Sequence, residues 1–218
     1  MRHLCMPQGL AADEIPKLEA LVCTARTVKR GSTLYRSGEP FSNLYAVRTG
    51  SLKTVLTHRD GREQVTGIHL AGEALGLDGI GEDTHTCHAV ALEDSSVCIM
   101  PYDALKALCR ESGSVQQRLH KLMGEQIVRE TSHMMLLGSL NAEERVATFL
   151  LDVSERHAKR GYSPSKFHLR MTREEMGSYL GMSLETVSRM LSRFQKRGII
   201  EMEGKLIRIA DFAALRSM

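Results

Sequence analysis

Two hydrophobic rhythms divide this chain. Through its first hundred residues, short apolar runs alternate with glycines at 31, 38, 50, 61, 67, 72, 76, 79 and 81. Leu44-Tyr-Ala-Val-Arg, Ser51-Leu-Lys-Thr-Val-Leu and Gln64-Val-Thr-Gly-Ile-His-Leu each fit one strand. Many short strands at regular spacing predict a sandwich or roll. Asp60-Gly61, inside His58-Arg-Asp-Gly-Arg, predicts a hairpin turn. From about Ser114 the rhythm lengthens. Met123, Ile127, Glu130, Met134 and Leu137 recur at intervals of four and three, the seam of a long helix that pairs with another. That helix should stop near Gly138-Ser139, and Asn141-Ala-Glu-Glu should open the next, with Asn141 as its cap. Glu130 breaks the seam. In a parallel homodimer two Glu130 carboxylates meet near the axis, where repulsion and desolvation make dimerisation marginal. A marginal dimer is one that a signal can switch. Placed at the rim instead, Glu130 matters little.

The most specific pattern lies further on, in Thr172-Arg-Glu-Glu-Met-Gly-Ser-Tyr-Leu-Gly-Met-Ser-Leu-Glu-Thr-Val-Ser-Arg-Met-Leu-Ser-Arg-Phe. Thr172 and Glu175 form a capping box for a first helix. Met176 and Leu180 give it an apolar stripe, and Gly177 between them permits close approach by a partner. Gly181 supplies a left-handed turn. Ser183 caps a second helix. Val187, Met190 and Leu191 then face inward, while Glu185, Ser188, Arg189, Ser192 and Arg193 face outward. This is the plan of a helix-turn-helix that offers side chains to the DNA major groove. Thr172, Glu185, Ser188, Arg189 and Arg193 are the expected DNA-binding residues. The bland alternative is a solvated amphipathic hairpin. Gly198-Ile-Ile-Glu-Met-Glu-Gly-Lys-Leu-Ile-Arg-Ile follows as two apolar runs around a Glu203-Gly204-Lys205 turn, a hairpin where a winged helix-turn-helix carries its wing.

Charge agrees with that placement. The net charge is +3 over 218 residues; residues 139–218 hold 14 Lys/Arg against 10 Asp/Glu, the remainder 15 against 16. A basic excess beside the hairpin suits phosphate contact. Trp is absent and aromatics are 5% of residues, so the core must be aliphatic and Met-rich. No apolar run is long enough to span a membrane, and no secretion signal is expected at the N-terminus. Five cysteines, without paired spacing, argue against a disulfide scaffold and for a reducing, cytoplasmic setting. Phosphate-loop, His-Glu-x-x-His and nucleophile-elbow motifs are all missing, so an enzyme is not expected. A dimerisation or adaptor module whose hairpin binds protein is the other class the residues allow.

The order of parts is α+β: a cupin-like β-roll over 1–112, a dimerisation helix over 113–138 and a winged helix-turn-helix over 139–218. It resembles the CRP/FNR superfamily of bacterial transcription regulators, whose roll is of the cyclic-nucleotide-binding type, and more narrowly the oxygen-responsive FNR branch. Leu44–Lys53, Gln64–Glu73, Ala89–Cys98, Asn141-Ala-Glu-Glu-Arg and Leu184-Glu-Thr-Val-Ser-Arg carry the resemblance, which extends from about Leu4 to Ile209. It implies that Arg189 donates to guanine, Glu185 accepts from cytosine and Ser188 touches a neighbouring pair, on an inverted repeat resembling TTGAT-N4-ATCAA. It implies RNA polymerase as a partner, met by loops such as His58–Arg62, although relatives often carry an acidic residue where Arg62 stands. It also implies a [4Fe–4S] cluster on four cysteine thiolates. Cys5 and Cys98 match two of them; the other two would lie upstream of Met1. Three readings stay open: ligands upstream of the given sequence, a branch member that senses another signal such as haem or nitric oxide, or substitution by Cys23, Cys87 or Cys109. Those three are expected to be inert small hydrophobes. Cyclic AMP is not expected, because no Arg stands beside the Thr84-His-Thr-Cys-His segment to pair a phosphate. His85 and His88 are expected to be ordinary surface residues.

Overall fold

Leu21 and residues 24–218 are described by the computed structural model; Cys5 and Cys23 lie outside them. The chain divides into two units, 1–128 and 129–218.

In the first unit the glycine-punctuated runs become eight antiparallel strands among the described residues. They are β1 (Thr24–Val28), β2 (Thr33–Tyr35), β3 (Asn43–Thr49), β4 (Ser51–Thr57), β5 (Glu63–Leu70), β6 (Ala74–Leu75), β7 (His88–Ala91) and β8 (Ser95–Pro101). They form two sheets, ordered β1-β8-β3-β6 and β2-β7-β4-β5. Each sheet turns its apolar positions inward. Val47 and Val97 from one, and Leu52 and Ala89 from the other, meet in a single core with Tyr35, Tyr45 and Leu75. Helix α1 (Tyr102–Glu111) then closes a second cluster, in which Leu105 and Leu108 pack with Phe41, Leu44, Met100 and Val115.

This core corrects one expectation. His85 is only 3% exposed. Its ring stacks on Tyr35 at 3.7 Å between centroids and meets Phe41 edge-on. Its Nδ1 lies 3.5 Å from the Asp78 carboxylate. Asp78 also accepts from the Tyr35 hydroxyl (3.3 Å) and from the backbone N–H groups of Thr86 (2.9 Å) and Cys87 (3.4 Å). A buried polar group needs partners, and Asp78 supplies them to a histidine that the strand pattern alone leaves at the surface. His88 is half-buried, and its Nδ1 accepts from the Ser37 N–H.

Helix α2 runs over Gly113–Ser139, and its second half falls in the second unit. That unit continues with α3 (Ala142–Ala158), β9 (Lys166–His168), α4 (Arg173–Leu180), α5 (Leu184–Lys196), β10 (Ile200–Glu203), β11 (Leu206–Ile209) and α6 (Phe212–Arg216). The wing pattern yields a three-stranded sheet, ordered β10-β11-β9. Asn141 caps α3 as the sequence predicts: it accepts from the N–H groups of Glu143 and Glu144, while the Glu144 carboxylate takes the Asn141 N–H at 2.7 Å. The core is aliphatic with Phe149, Phe194, Met176 and Met190, all buried.

Along α2, Ile127 and Met134 are 63% and 64% exposed. Glu130 is exposed beside them and Met123 is half-buried. Val128 and Met135 widen the apolar band. Leu137 has a further neighbour within its own chain. It is half-buried, and its Cδ2 lies 3.0 Å from where a Cβ on Gly181 would stand. Helical period assigns a face; it does not say which neighbour claims it.

Candidate nucleic-acid interface

The interface begins with local chemistry at three helix ends. Thr172 accepts from the Glu175 N–H at 3.1 Å, and Glu175 returns the favour to the Thr172 N–H at 2.7 Å. Two orphan donors at the start of α4 are thereby satisfied. At its other end, Gly181 takes φ 62°, ψ 42°, the left-handed conformation that side chains resist. Ser183 accepts from the Thr186 N–H at 3.2 Å and starts α5.

Gly177 explains how α4 and α5 come together so tightly. A Cβ there would stand 2.5 Å from the Met182 carbonyl oxygen and 3.4 Å from the Leu184 nitrogen. Backbone cannot yield as a flexible side chain would. Gly177→Ala is expected to destabilise the second unit by roughly 1–3 kcal/mol, the usual cost of overpacking. Denaturant unfolding followed by far-ultraviolet circular dichroism checks it; an unchanged midpoint would show that the turn tolerates the methyl.

Burial then sorts α5 into two faces. Val187, Met190, Leu191 and Phe194 are buried. Glu185 and Arg189 are exposed, four residues apart on one side, with half-buried Ser188 beside them. The Glu185 carboxyl is held below its ordinary value by its own backbone N–H and by the Ser183 side chain. It is therefore an ionised acceptor at neutral pH, able to take a cytosine amino group and unable to donate. Arg189 makes a long contact with Thr186 Oγ1 (3.4 Å), leaving most of its guanidinium donors facing outward. Exposed Thr172 stands at the start of α4.

Two features add to the sequence reading. Arg193 is exposed, as expected, and its Nη1 also donates to Glu143 at 2.9 Å, while Arg197 donates to the same carboxylate at 2.7 Å. Glu143 thus fastens the far end of α5 to α3. Leu184 was not among the expected residues. It is 44% exposed in the first turn of α5, next to Glu185. A large apolar side chain left out at a recognition-helix start is the signal that could have found it, because thymine offers a methyl group in the major groove. On the wing, Lys205 Nζ donates to the Arg170 carbonyl at 2.6 Å, and Arg208 pairs across the strands with Glu201.

The candidate metal residues give a different result. Cys5 lies outside the described residues. Cys98 is buried in β8, beside Ala25 and Ala46 on its neighbouring strands. Cys87 is buried and its thiol donates to Asp78 at 3.4 Å, while burial pushes the Cys109 thiol up. Among the described residues no group of three or more His, Cys, Asp or Glu could hold a metal ion. Of the two matched ligand positions only Cys98 lies among the described residues, which by themselves do not complete a four-thiolate site.

Comparison with known proteins agrees with both units. Residues 25–112 match the model of a cyclic nucleotide-binding domain, and residues 144–218 that of a Crp-like helix-turn-helix domain. The chain is 44% identical over 216 residues to the transcriptional regulatory protein btr of Bordetella pertussis, covering 99% of this chain and 89% of that one. It is 40% identical to the fumarate and nitrate reduction regulatory protein of Escherichia coli, covering 99% and 86%. Among solved structures, FixK2 from Bradyrhizobium japonicum superposes with a TM-score of 0.82 at 31% identity, covering 89% of this chain and 96% of that one.

Proposed function

Given that this chain belongs to the FNR branch of the CRP/FNR family of transcription regulators, we propose that it works as a homodimer that reads an inverted repeat resembling TTGAT-N4-ATCAA and responds to oxygen or redox state. It is a DNA-binding regulator and not an enzyme. One observation carries the finer reading: Glu185 and Arg189 stand together on the exposed face of a helix whose opposite face is buried. An acceptor fixed as a carboxylate and a fork of donors are the two side-chain types that separate C·G from other pairs in the major groove. Leu184 adds a methyl-sized contact for thymine, Thr172 a phosphate contact at the start of α4. Arg193 shares its guanidinium between Glu143 and the outward face.

The exposed band of Ile127 and Met134 supports the homodimer, with Glu130 setting its strength. Both half-sites are then read at once, about one helical turn apart. RNA polymerase is the second partner. The loop after β4 is the surface we assign to it: Asp60 accepts from the Arg62 N–H and Nε, which leaves Arg59 to give the tip a net positive charge. A DNA ligand places the protein in the cytoplasm, and no helix of the described residues is long and apolar enough to cross a membrane.

The redox signal rests on the names of relatives, which include the Escherichia coli protein above and an electron transport regulator of Shewanella oneidensis. A [4Fe–4S] cluster would supply a centre that oxygen destroys, but no step is assigned to it here, since the described residues do not complete the site. Nor do we assign cyclic AMP. The Thr86 and Cys87 N–H groups already serve the Asp78 carboxylate, and a phosphate beside that anion would find repulsion and no guanidinium.

Binding to the inverted repeat and to a scrambled duplex, each at two salt concentrations, tests the proposal. The affinity is expected to fall steeply with salt on both duplexes, with slope about −0.9 per phosphate neutralised. The inverted repeat should stay ahead throughout. Equal affinity for the two duplexes would overturn sequence reading.

A further inference from the structure

Arg145 sits at the start of α3, where a cation is out of place, because the N-terminal end of a helix carries partial positive charge. Its guanidinium does not stay there. Nε donates to the Leu140 carbonyl (2.8 Å) and Nη2 to the Leu137 carbonyl (2.7 Å). Nη1 donates to the carbonyls of Leu180 (3.0 Å) and Gly181 (3.3 Å). Leu137 belongs to the last turn of α2, and Leu180 and Gly181 are the last residue and the C-cap of α4. The final carbonyls of a helix lack partners within it. One planar cation therefore closes the C-terminal ends of two helices and sits at the negative end of both dipoles.

A second contact joins the same two helices one turn away. The His133 ring stacks on Tyr179 at 4.1 Å and 7° between planes. His133 Nε2 lies 2.7 Å from the Tyr179 carbonyl oxygen, which can only accept, so Nε2 carries the hydrogen. Leu137 against Gly181 fills the space between these two ties.

We propose that Arg145 is a positioning residue for operator recognition: it locks the end of the dimer helix α2 to the turn between α4 and α5, and so sets how far apart a homodimer holds its two reading helices. The inference rests on the homodimer reading above. Arg145 directs its guanidinium at main-chain carbonyls. It acts on half-site spacing, a quantity that geometry fixes. Lysine keeps the charge, but a single ammonium cannot span carbonyls belonging to two helices.

The test measures affinity of the full chain for inverted repeats with spacers of three, four, five and six base pairs. Wild type should prefer the four-base spacer. Arg145→Lys should weaken that duplex roughly tenfold or more, the worth of lost charge-assisted hydrogen bonds, while losing much less on the others, so that the spacer preference flattens. His133→Phe keeps the stack, removes the donor and should flatten it partially. A uniform loss on every spacer marks a merely structural residue and overturns the proposal, as does an unchanged preference. If Arg145→Lys fails to fold, His133→Phe decides: an unaltered spacer profile rejects the lock. Failure of wild type to favour any inverted repeat rejects the homodimer reading itself.

Discussion

Ile127→Asp is expected to leave the protein monomeric at concentrations where wild type dimerises. Ile127 is 63% exposed on α2, and Met134 lies two turns along the same face at 64%. Burying one such side chain against a partner is worth about 1.5–3 kcal/mol. A symmetric dimer contains it twice, so the substitution removes about 3 kcal/mol or more, over a hundredfold in dissociation constant. The aspartate also adds a charge that the interface would have to desolvate. Sedimentation equilibrium reads the change directly, and binding to the two-half-site operator should fall with it. Glu130→Leu should act in the opposite direction, because in the proposed parallel dimer it takes two carboxylates away from the axis. An Ile127→Asp protein that dimerises as wild type does would place the interface elsewhere.

Arg189→Ala should cost roughly 1–3 kcal/mol per half-site on the cognate operator and relax the choice of base at one position. The reasoning is geometric. Arg189 is exposed, its side chain is held only by a 3.4 Å contact to Thr186, and α5 is anchored beneath it by Val187, Met190, Leu191 and Phe194. Truncation thus removes donors without disturbing the helix. Arg193→Ala should behave differently. It breaks an exposed pair with Glu143, and exposed pairs contribute about 0–1 kcal/mol. Its effect on sequence discrimination should be small. Anisotropy titrations on cognate and scrambled duplexes separate the two cases: equal loss on both would demote Arg189 to a phosphate contact.

Much of the second unit was legible because its signals are local. A capping box at Thr172, a left-handed Gly181 and a cap at Ser183 each act within a few residues. Their geometry follows from φ preferences and orphan donors alone. The three quoted strand runs became β3, β4 and β5 for a similar reason: apolar alternation between glycines. What escaped depends on pairing across the chain. β9 has three residues, and only its register against β11, Phe167 opposite Ile207, makes it a strand. His85 became a core residue because Asp78 and Tyr35 reach it through the fold. Leu137 packs close to Gly181 because that residue has no side chain to keep it out. Arg145 did offer a sequence signal, a cation at a helix start just after a capping box, but its four carbonyl partners lie on segments that only the fold assembles. Cys98 matched a ligand position by resemblance, and its place in the fold comes from β8 pairing with β1 and β3.

The central claim is that the face carrying Glu185 and Arg189 distinguishes one base sequence from another. Its most direct test exchanges the G·C pair in each TTGAT half-site for C·G and compares the affinities of wild type and Arg189→Ala at one fixed salt concentration. Wild type should lose about 1–3 kcal/mol for each exchanged pair, and Arg189→Ala should bind both duplexes nearly equally. A variant that still discriminates as strongly as wild type would contradict the account.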